Sequence, residues 1–252
     1  MTDRGADLSG WLAALEARHL ADLRLPEAAR ALRALSSAYV ERRQALARGA
    51  ALDSAGKRAA FALFYAPLHF LVTRHIVEAL GTGAPATIVD LGCGTGAAGA
   101  AWSLACATRP RIVGIDRHPW AVQEARWTWR QLRVDGRARQ GDLVNIRLPH
   151  GSLGVLAAYV LNELPDPARA AVVERLVDAS GRGARVLVIE PIARGVTRWW
   201  DAVRARVEEA GGRADEWDIP LDRPPLVAQL DTAAGLNHRR VKARSLFIAR
   251  SR

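Results

Sequence analysis

The chain has 252 residues, half of them hydrophobic and a quarter charged, enough for one sizeable α/β domain with an appendage. Its two cysteines, Cys93 and Cys106, make neither a disulfide framework nor a metal cluster, so no metal is expected. The polar, acidic start Met1–Gly10 does not read as a leader and no run of about 18 apolar residues proposes a membrane span; a cytoplasmic location is expected.

The formal charge is +10, and with only two lysines, Lys57 and Lys242, it is carried by arginine along the whole length. A GC-rich genome inflates arginine and alanine together, and a polyanionic partner such as RNA would give the same charge. RNA or a ribosomal component therefore stays open as a partner, and self-association is not addressed.

Residues 8–48 carry a helical pattern, with Leu8, Trp11, Leu12, Leu15, Leu20, Leu23, Leu32, Leu35 and Tyr39 at three- and four-residue steps and a restart at Pro26. Gly49 and Gly56 bracket a short linker. A further helix from Lys57 to Leu80 holds Phe61, Phe64, Tyr65, Leu68, Leu71, Val72 and Ile76, and Pro67 predicts a kink in it. Residues 1–80 thus read as an N-terminal helical cap and 81–252 as a separate domain. Tyr65 and His69, four apart on one helix face, are candidates to close over a ligand; Tyr65 reads equally well as core.

The apolar run Ala86–Val89 ends in Asp90 and then in Gly92, Gly94 and Gly96 at alternate positions, followed at once by the alanine-rich helical stretch Ala97–Ala107. A strand, a tight turn and a helix start follow from this pattern. Glycines are needed where backbone takes special dihedrals or must approach a ligand closely. Asp90 sets a negative charge beside that approach, which suits a cation-bearing ligand. Gly94-Thr95-Gly96-Ala97-Ala98-Gly99 also satisfies the dinucleotide signature, though pyrophosphate wants backbone donors and no nearby anion.

Strands and helices then alternate: a strand over 111–115, a helix starting near Pro119, a short strand over 138–140, and a strand from Leu153 to Tyr159. A helix capped by Asp166, a strand over 184–189 and a helix from about Thr197 to Ala210 come next. A helix over 225–234 and a strand over 242–249 close the chain. Near-continuous apolar strands alternating with helices predict a mostly parallel, Rossmann-like α/β sheet covered on both faces.

Asp90, Asp116, Asp142, Asn162 and Glu190 each fall at the end of a successive strand, where open parallel sheets bind ligands. Asp116 has the spacing of an acid that accepts from ribose hydroxyls in nucleotide-binding turns of either kind. Arg117 and His118 follow it; the plain reading of His118 is a solvated loop residue. On the helix after them, Val122, Ala125, Trp129 and Leu132 form a core stripe. Trp120 and Trp127 fall opposite, beside Arg126 and Arg130, either to stack nucleobases or to lie under arginine in a surface cluster.

The segment Ile88-Val89-Asp90-Leu91-Gly92-Cys93-Gly94-Thr95-Gly96 closely resembles the first motif of class I S-adenosylmethionine-dependent methyltransferases. The resemblance implies a glycine turn (Asp90, Gly92, Cys93, Gly94, Gly96) under the methionine and sulfonium of S-adenosylmethionine. It also implies Asp116 on the ribose, Arg117 or His118 against the adenine, and Asp142 with Leu143 at the adenine amino group. Asn162 and Glu163, in Tyr159-Val160-Leu161-Asn162-Glu163-Leu164, would then line the acceptor pocket, Asn162 orienting the acceptor and Glu163 taking a proton. Tyr65, His69 and Glu190 would flank them.

Tyr65-Ala66-Pro67, Val160-Leu161-Asn162-Glu163-Leu164-Pro165 and Val188-Ile189-Glu190-Pro191 are similar, over residues 57–210, to the mitochondrial small-ribosomal-subunit methyltransferase-like family and its bacterial relatives. That family's cysteine cluster has no counterpart after Glu190-Pro191. The resemblance implies a methyltransferase for RNA or a ribosomal component, a small-molecule methyltransferase with the cap as acceptor lid, or a non-catalytic S-adenosylmethionine-binding assembly protein.

Overall fold

The computed structural model describes residues 3–41, 52–149, 151–192, 199–236 and 238–249. Two helices lead, α1 (Asp3–His19) and α2 (Leu25–Glu41). The expected continuation of the second to residue 48, and the linker at Gly49, lie outside the described residues.

Ser54 caps the next helix by accepting from Lys57 N–H at 3.3 Å. That helix runs as α3 (Ala55–Ala60), a π-helical turn (Phe61–Tyr65) and α4 (Ala66–Leu80). The kink expected at Pro67 is instead this wide turn just before it, in which Ala66 N–H reaches back to the Phe61 carbonyl. Pro67 offers no N–H to residue 63 and its ring crowds that carbonyl, so widening the preceding turn relieves both problems. By length and composition residues 55–80 would cross a membrane, but 67% of their most apolar window is buried inside the protein, as in a core helix.

Seven strands follow: β1 (Thr87–Leu91), β2 (Arg111–Asp116), β3 (Gly136–Gln140), β4 (Leu153–Ala158), β5 (Arg185–Pro191), β6 (Arg213–Pro220) and β7 (Arg240–Ile248). The helices between them are α5 (Ala97–Ala105), α6 (Pro119–Gln131), α7 (Asp166–Gly181), α8 (Trp200–Glu209) and α9 (Pro225–Ala233). The strand order is β3-β2-β1-β4-β5-β7-β6, with β7 antiparallel to both its neighbours and the rest parallel. An antiparallel strand inserted between the fifth and sixth departs from the 3-2-1-4-5-6 order of the dinucleotide fold.

Alternation along each strand divides the core. Val89, Val155 and Val188 pack with α7 and α8, while Ile88, Leu156 and Leu187 pack with α4 and α5. A third cluster joins Trp11, Leu15, Leu32, Leu35 and Phe64 from the leading helices to Ala100, Trp129 and Leu230, so these helices share core with α5, α6 and α9.

Two elements differ from expectation. β6 is an unforeseen strand whose sequence, Arg213-Ala214-Asp215-Glu216-Trp217-Asp218-Ile219-Pro220, is mostly charged because it lies at the sheet edge. Only its inward positions carry the pattern: Ile219 is buried and Trp217 Nε1 donates to Ser245 Oγ at 2.9 Å. Asp166 is the first residue of α7 and not its cap; it accepts from Arg169. The expected helix start at Thr197 lies outside the described residues.

Candidate active site

The order of the sheet reverses between β1 and β4, and it is beyond the carboxyl ends of strands at such a point that open parallel sheets form their ligand crevice. On one side is the turn after β1. Gly92, Gly94 and Gly96 all take positive φ. Gly92 and Cys93 N–H both donate to the Ile115 carbonyl, at 2.8 and 3.1 Å, which ties the turn to β2. From the core stripe of α6, Trp129 Nε1 donates to the Gly96 carbonyl at 2.8 Å. Cys93 is buried beneath the turn and burial pushes its thiol well up.

Asp90 corrects one expectation. Its carboxyl is buried at 1% exposure and accepts from Gly99 N–H at 3.1 Å, so it holds the start of α5 from below. Burial raises its pKa to about 7, against the Gly99 hydrogen bond. Any influence on a ligand is through the turn, not by direct presentation.

Asp116 ends β2 half-buried, with Oδ2 accepting from Gly94 N–H at 3.0 Å and Oδ1 from His118 N–H at 2.8 Å. Each oxygen keeps a lone pair for a further donor. His118 is not a solvated loop residue: its Nδ1 accepts from Trp120 N–H and caps α6. Burial and the nearby Arg58 cation lower its pKa. Arg117 is exposed, and its carbonyl accepts from Gln140 Nε2 at 2.9 Å. Asp142 sits exposed at the rim and accepts from Val144 N–H, starting a short 3-10 turn; Leu143, expected beside the cofactor, packs its side chain into the core.

Across the crevice is the loop after β4. Tyr159 adopts φ 61°, a left-handed conformation costing a non-glycine residue about 1–2 kcal/mol, while its N–H donates to the Ile189 carbonyl at 2.7 Å. Its ring stacks on His69 with centroids 3.9 Å apart and 12° between planes. Burial keeps His69 at about 3, so its ring is neutral and is no base near neutral pH. Tyr65 and Phe61 extend the aromatic wall, and a β-carbon on Gly94 would meet Phe61 Cε1 at 3.8 Å. The π turn thereby sets an unforeseen ring over the glycine turn.

Arg169, buried on α7, donates to the Leu161 and Leu164 carbonyls at 2.9 and 2.5 Å and fixes the short turn holding Asn162 and Glu163. The Asn162 N–H donates to Glu190 Oε1 at 3.2 Å. Burial raises Glu163 to about 7; the Arg117 cation opposes this and the Asp116 anion adds to it. Glu190, fully buried at the end of β5, is raised to about 8, first by burial and further by Glu163. Asp90, Asp116, Glu163 and Glu190 thus influence one another in series across the crevice.

Trp120 and Trp127, outside the α6 core stripe, are half-buried. Arg18 of α1 lies 4.9 Å over the Trp127 ring, His19 sits edge-on to Trp120 at 6.4 Å, and both Arg18 and His19 bond the buried Glu124. The surface-cluster reading of Trp127 holds, with the arginine supplied from α1 and not from α6.

A pH effect on stability arises at Glu190. A carboxyl raised above its ordinary 4.5 on folding leaves stability untouched below that pH and lowers it as pH rises toward 8. Glu190→Gln removes the ionisation. The variant is expected to match the parent below pH 4.5 and to melt at least about 3 °C higher above pH 8. Thermal melts across that range check it, and a constant offset would refute it.

A family description, methyltransferase domain, matches residues 88–183, from β1 through the end of α7. Solved structures match much more of the chain. The plantazolicin methyltransferase BpumL, in complex with S-adenosylhomocysteine, aligns over 86% of this chain and 98% of its own, with a TM-score of 0.55 at 12% identity. The fold is that of a Rossmann-like methyltransferase. The N-methyltransferase NodS from Bradyrhizobium japonicum, also with S-adenosylhomocysteine, aligns over 88% of this chain and all of its own (TM-score 0.52, 14% identity). The mitomycin 7-O-methyltransferase MmcR aligns over all of this chain and 76% of its own (TM-score 0.52, 20% identity), so its likeness extends to the N-terminal helices. A sequence search of curated proteins finds no match.

Proposed function

We propose that the chain is a class I S-adenosylmethionine-dependent methyltransferase, with residues 81–252 binding the donor and residues 1–80 forming a cap over a small-molecule acceptor. The observation that carries the donor reading is Asp116 Oδ2 on Gly94 N–H. The turn's backbone donor already faces a protein anion, which repels pyrophosphate but still accepts from a ribose hydroxyl. Gly92, Cys93, Gly94 and Gly96 pass under the methionine and sulfonium, Asp116 takes the ribose, and Arg117 and Asp142 flank the adenine. Asn162 and Glu163 stand on the acceptor side, where transfer needs an aligned nucleophile and a place for its proton.

Arg18 over one face of Trp127 and His19 against Trp120, both from α1, favour a small acceptor over RNA, because these half-buried rings already have partners within the protein. The narrower kinship with the ribosomal-subunit methyltransferase-like family rests on short segments alone. A cytoplasmic location is part of the same proposal.

Calorimetry of the purified protein against S-adenosylmethionine and NAD in parallel tests the donor reading. Binding of the former alone is expected, and binding of NAD alone would overturn it. Turnover to S-adenosylhomocysteine with an acceptor separates an enzyme from a non-catalytic binder. Tight RNA binding that falls steeply with salt would return the acceptor to RNA.

A further inference from the structure

We propose that the acceptor is an amine, its ammonium group held between the carboxyls of Glu163 and Glu190 and its carbon skeleton lying against the aromatic wall of Phe61, Tyr65, His69 and Tyr159. This rests on the methyltransferase reading above and names the substrate class of that site.

Glu190 supplies the central observation. Its side chain is fully buried, Oε1 accepts from Asn162 N–H at 3.2 Å, and the Leu161 N–H beside it also favours the ionised carboxyl. Oε2 is buried with no hydrogen-bond partner among the described residues. Buried carboxyl oxygens are normally satisfied, so a hydrogen-bonding partner is called for here, and an ammonium N–H would supply it to the ionised carboxyl. Arg244, directly across the strand from Glu190, is stacked 3.9 Å over Trp200 and tempers the Glu190 charge from the side. Glu163 lies close enough to raise Glu190 further, and Arg117 and Asp116 face Glu163 with opposing effects.

The aromatic wall fits the same ligand. Tyr159 is held in a strained backbone conformation that turns its ring onto His69, and Glu190 is near enough to raise the Tyr159 hydroxyl. His69, kept neutral by burial, does not repel a cation. Ring faces beside carboxyls attract ammonium groups and leave an alcohol of the same shape without that gain.

The chemistry balances without a further reagent. The ammonium gives one proton to the ionised member of the carboxyl pair, freeing its lone pair. That pair attacks the sulfonium methyl carbon, forming C–N as C–S breaks, and the C–S electrons stay on sulfur as S-adenosylhomocysteine. The methylated ammonium carries the remaining charge and leaves.

Phenethylamine and its isostere 2-phenylethanol are suitable probes, titrated into protein saturated with S-adenosylhomocysteine and followed by ligand-observed NMR. The parent is expected to bind the amine at least about tenfold more tightly than the alcohol. Glu190→Gln and Glu163→Gln should each lose that preference while S-adenosylhomocysteine affinity stays within about twofold of the parent. Equal affinity for the probes, absence of amine binding at millimolar concentration, or a preference retained in both variants would overturn the inference. Loss of S-adenosylhomocysteine binding by the parent would instead sink the donor reading, and the same titrations without it would still decide the amine question.

Discussion

Gly94→Leu is expected to fold, to lose about 1–2 kcal/mol of stability to its left-handed backbone, and to bind S-adenosylmethionine at least about a hundredfold more weakly. Gly94 has φ 51°, and a β-carbon there would meet Phe61 Cε1 at 3.8 Å and the Gly92 carbonyl oxygen at 4.0 Å, both ordinary contact distances. A longer side chain can therefore enter the crevice, in the space assigned to the donor. The neighbouring glycines behave differently. A β-carbon on Gly96 would lie 2.7 Å from Trp129 Nε1 and 3.0 Å from the Ala125 backbone, and one on Gly92 would lie 2.3 Å from Val160 Cγ2. Gly92→Leu and Gly96→Leu are expected to unfold the domain or lower its melting temperature by more than about 10 °C. Circular-dichroism melts and calorimetry on the three variants separate these outcomes. Full donor affinity in Gly94→Leu would mean that the turn faces away from the ligand.

That contrast marks the limit of what glycine spacing conveys. The three alternate glycines, the strand before them and the helix after them were legible because each answers to local chemistry: special dihedrals, an apolar run and an alanine-rich stretch. Which glycine opens on the crevice was not, since Trp129 lies 33 positions after Gly96 and Val160 lies 68 after Gly92. Asp90 misled for the same reason. Its position at the strand end was right, but the sign of its exposure depends on Gly99 lying above it, which the tertiary packing decides.

Strand ends point to Asn162, Glu163 and Glu190, and the structure gathers all three around one loop. Nothing in the sequence marks the rings of Tyr159 and Phe61 as partners in one aromatic wall. A positive φ at a tyrosine has no residue-type signature, and a π turn shifts Phe61 around the helix by an amount that a uniform helical step does not anticipate. Arg169 carries a signal: an arginine fourth in a helix start that is otherwise Asp166, Pro167 and alanines, donating to the carbonyls of the loop it follows. β6 was missed because an edge strand protects itself with charge, which erases the apolar run that identifies a central one.

Asp116→Ala is expected to weaken S-adenosylmethionine binding by about 1.5–3 kcal/mol, a factor of roughly 10 to 150, through loss of charge-assisted hydrogen bonds to the ribose. Before any ligand arrives, the same carboxylate accepts from Gly94 and His118, so it also sets the turn and the start of α6. Removal should therefore lower the melting temperature by a few degrees as well, about 2–4 °C per kcal/mol lost. Asp116→Asn distinguishes the two duties. Its remaining carbonyl oxygen can still accept one backbone bond, so much of the stability should return, while the neutral amide accepts weakly from the ribose. A variant that recovers its melting temperature but stays at least about tenfold weaker for the donor assigns Asp116 to the ligand itself. If affinity tracks stability across both variants, Asp116 acts only as a brace for the turn, and the ribose must be held elsewhere.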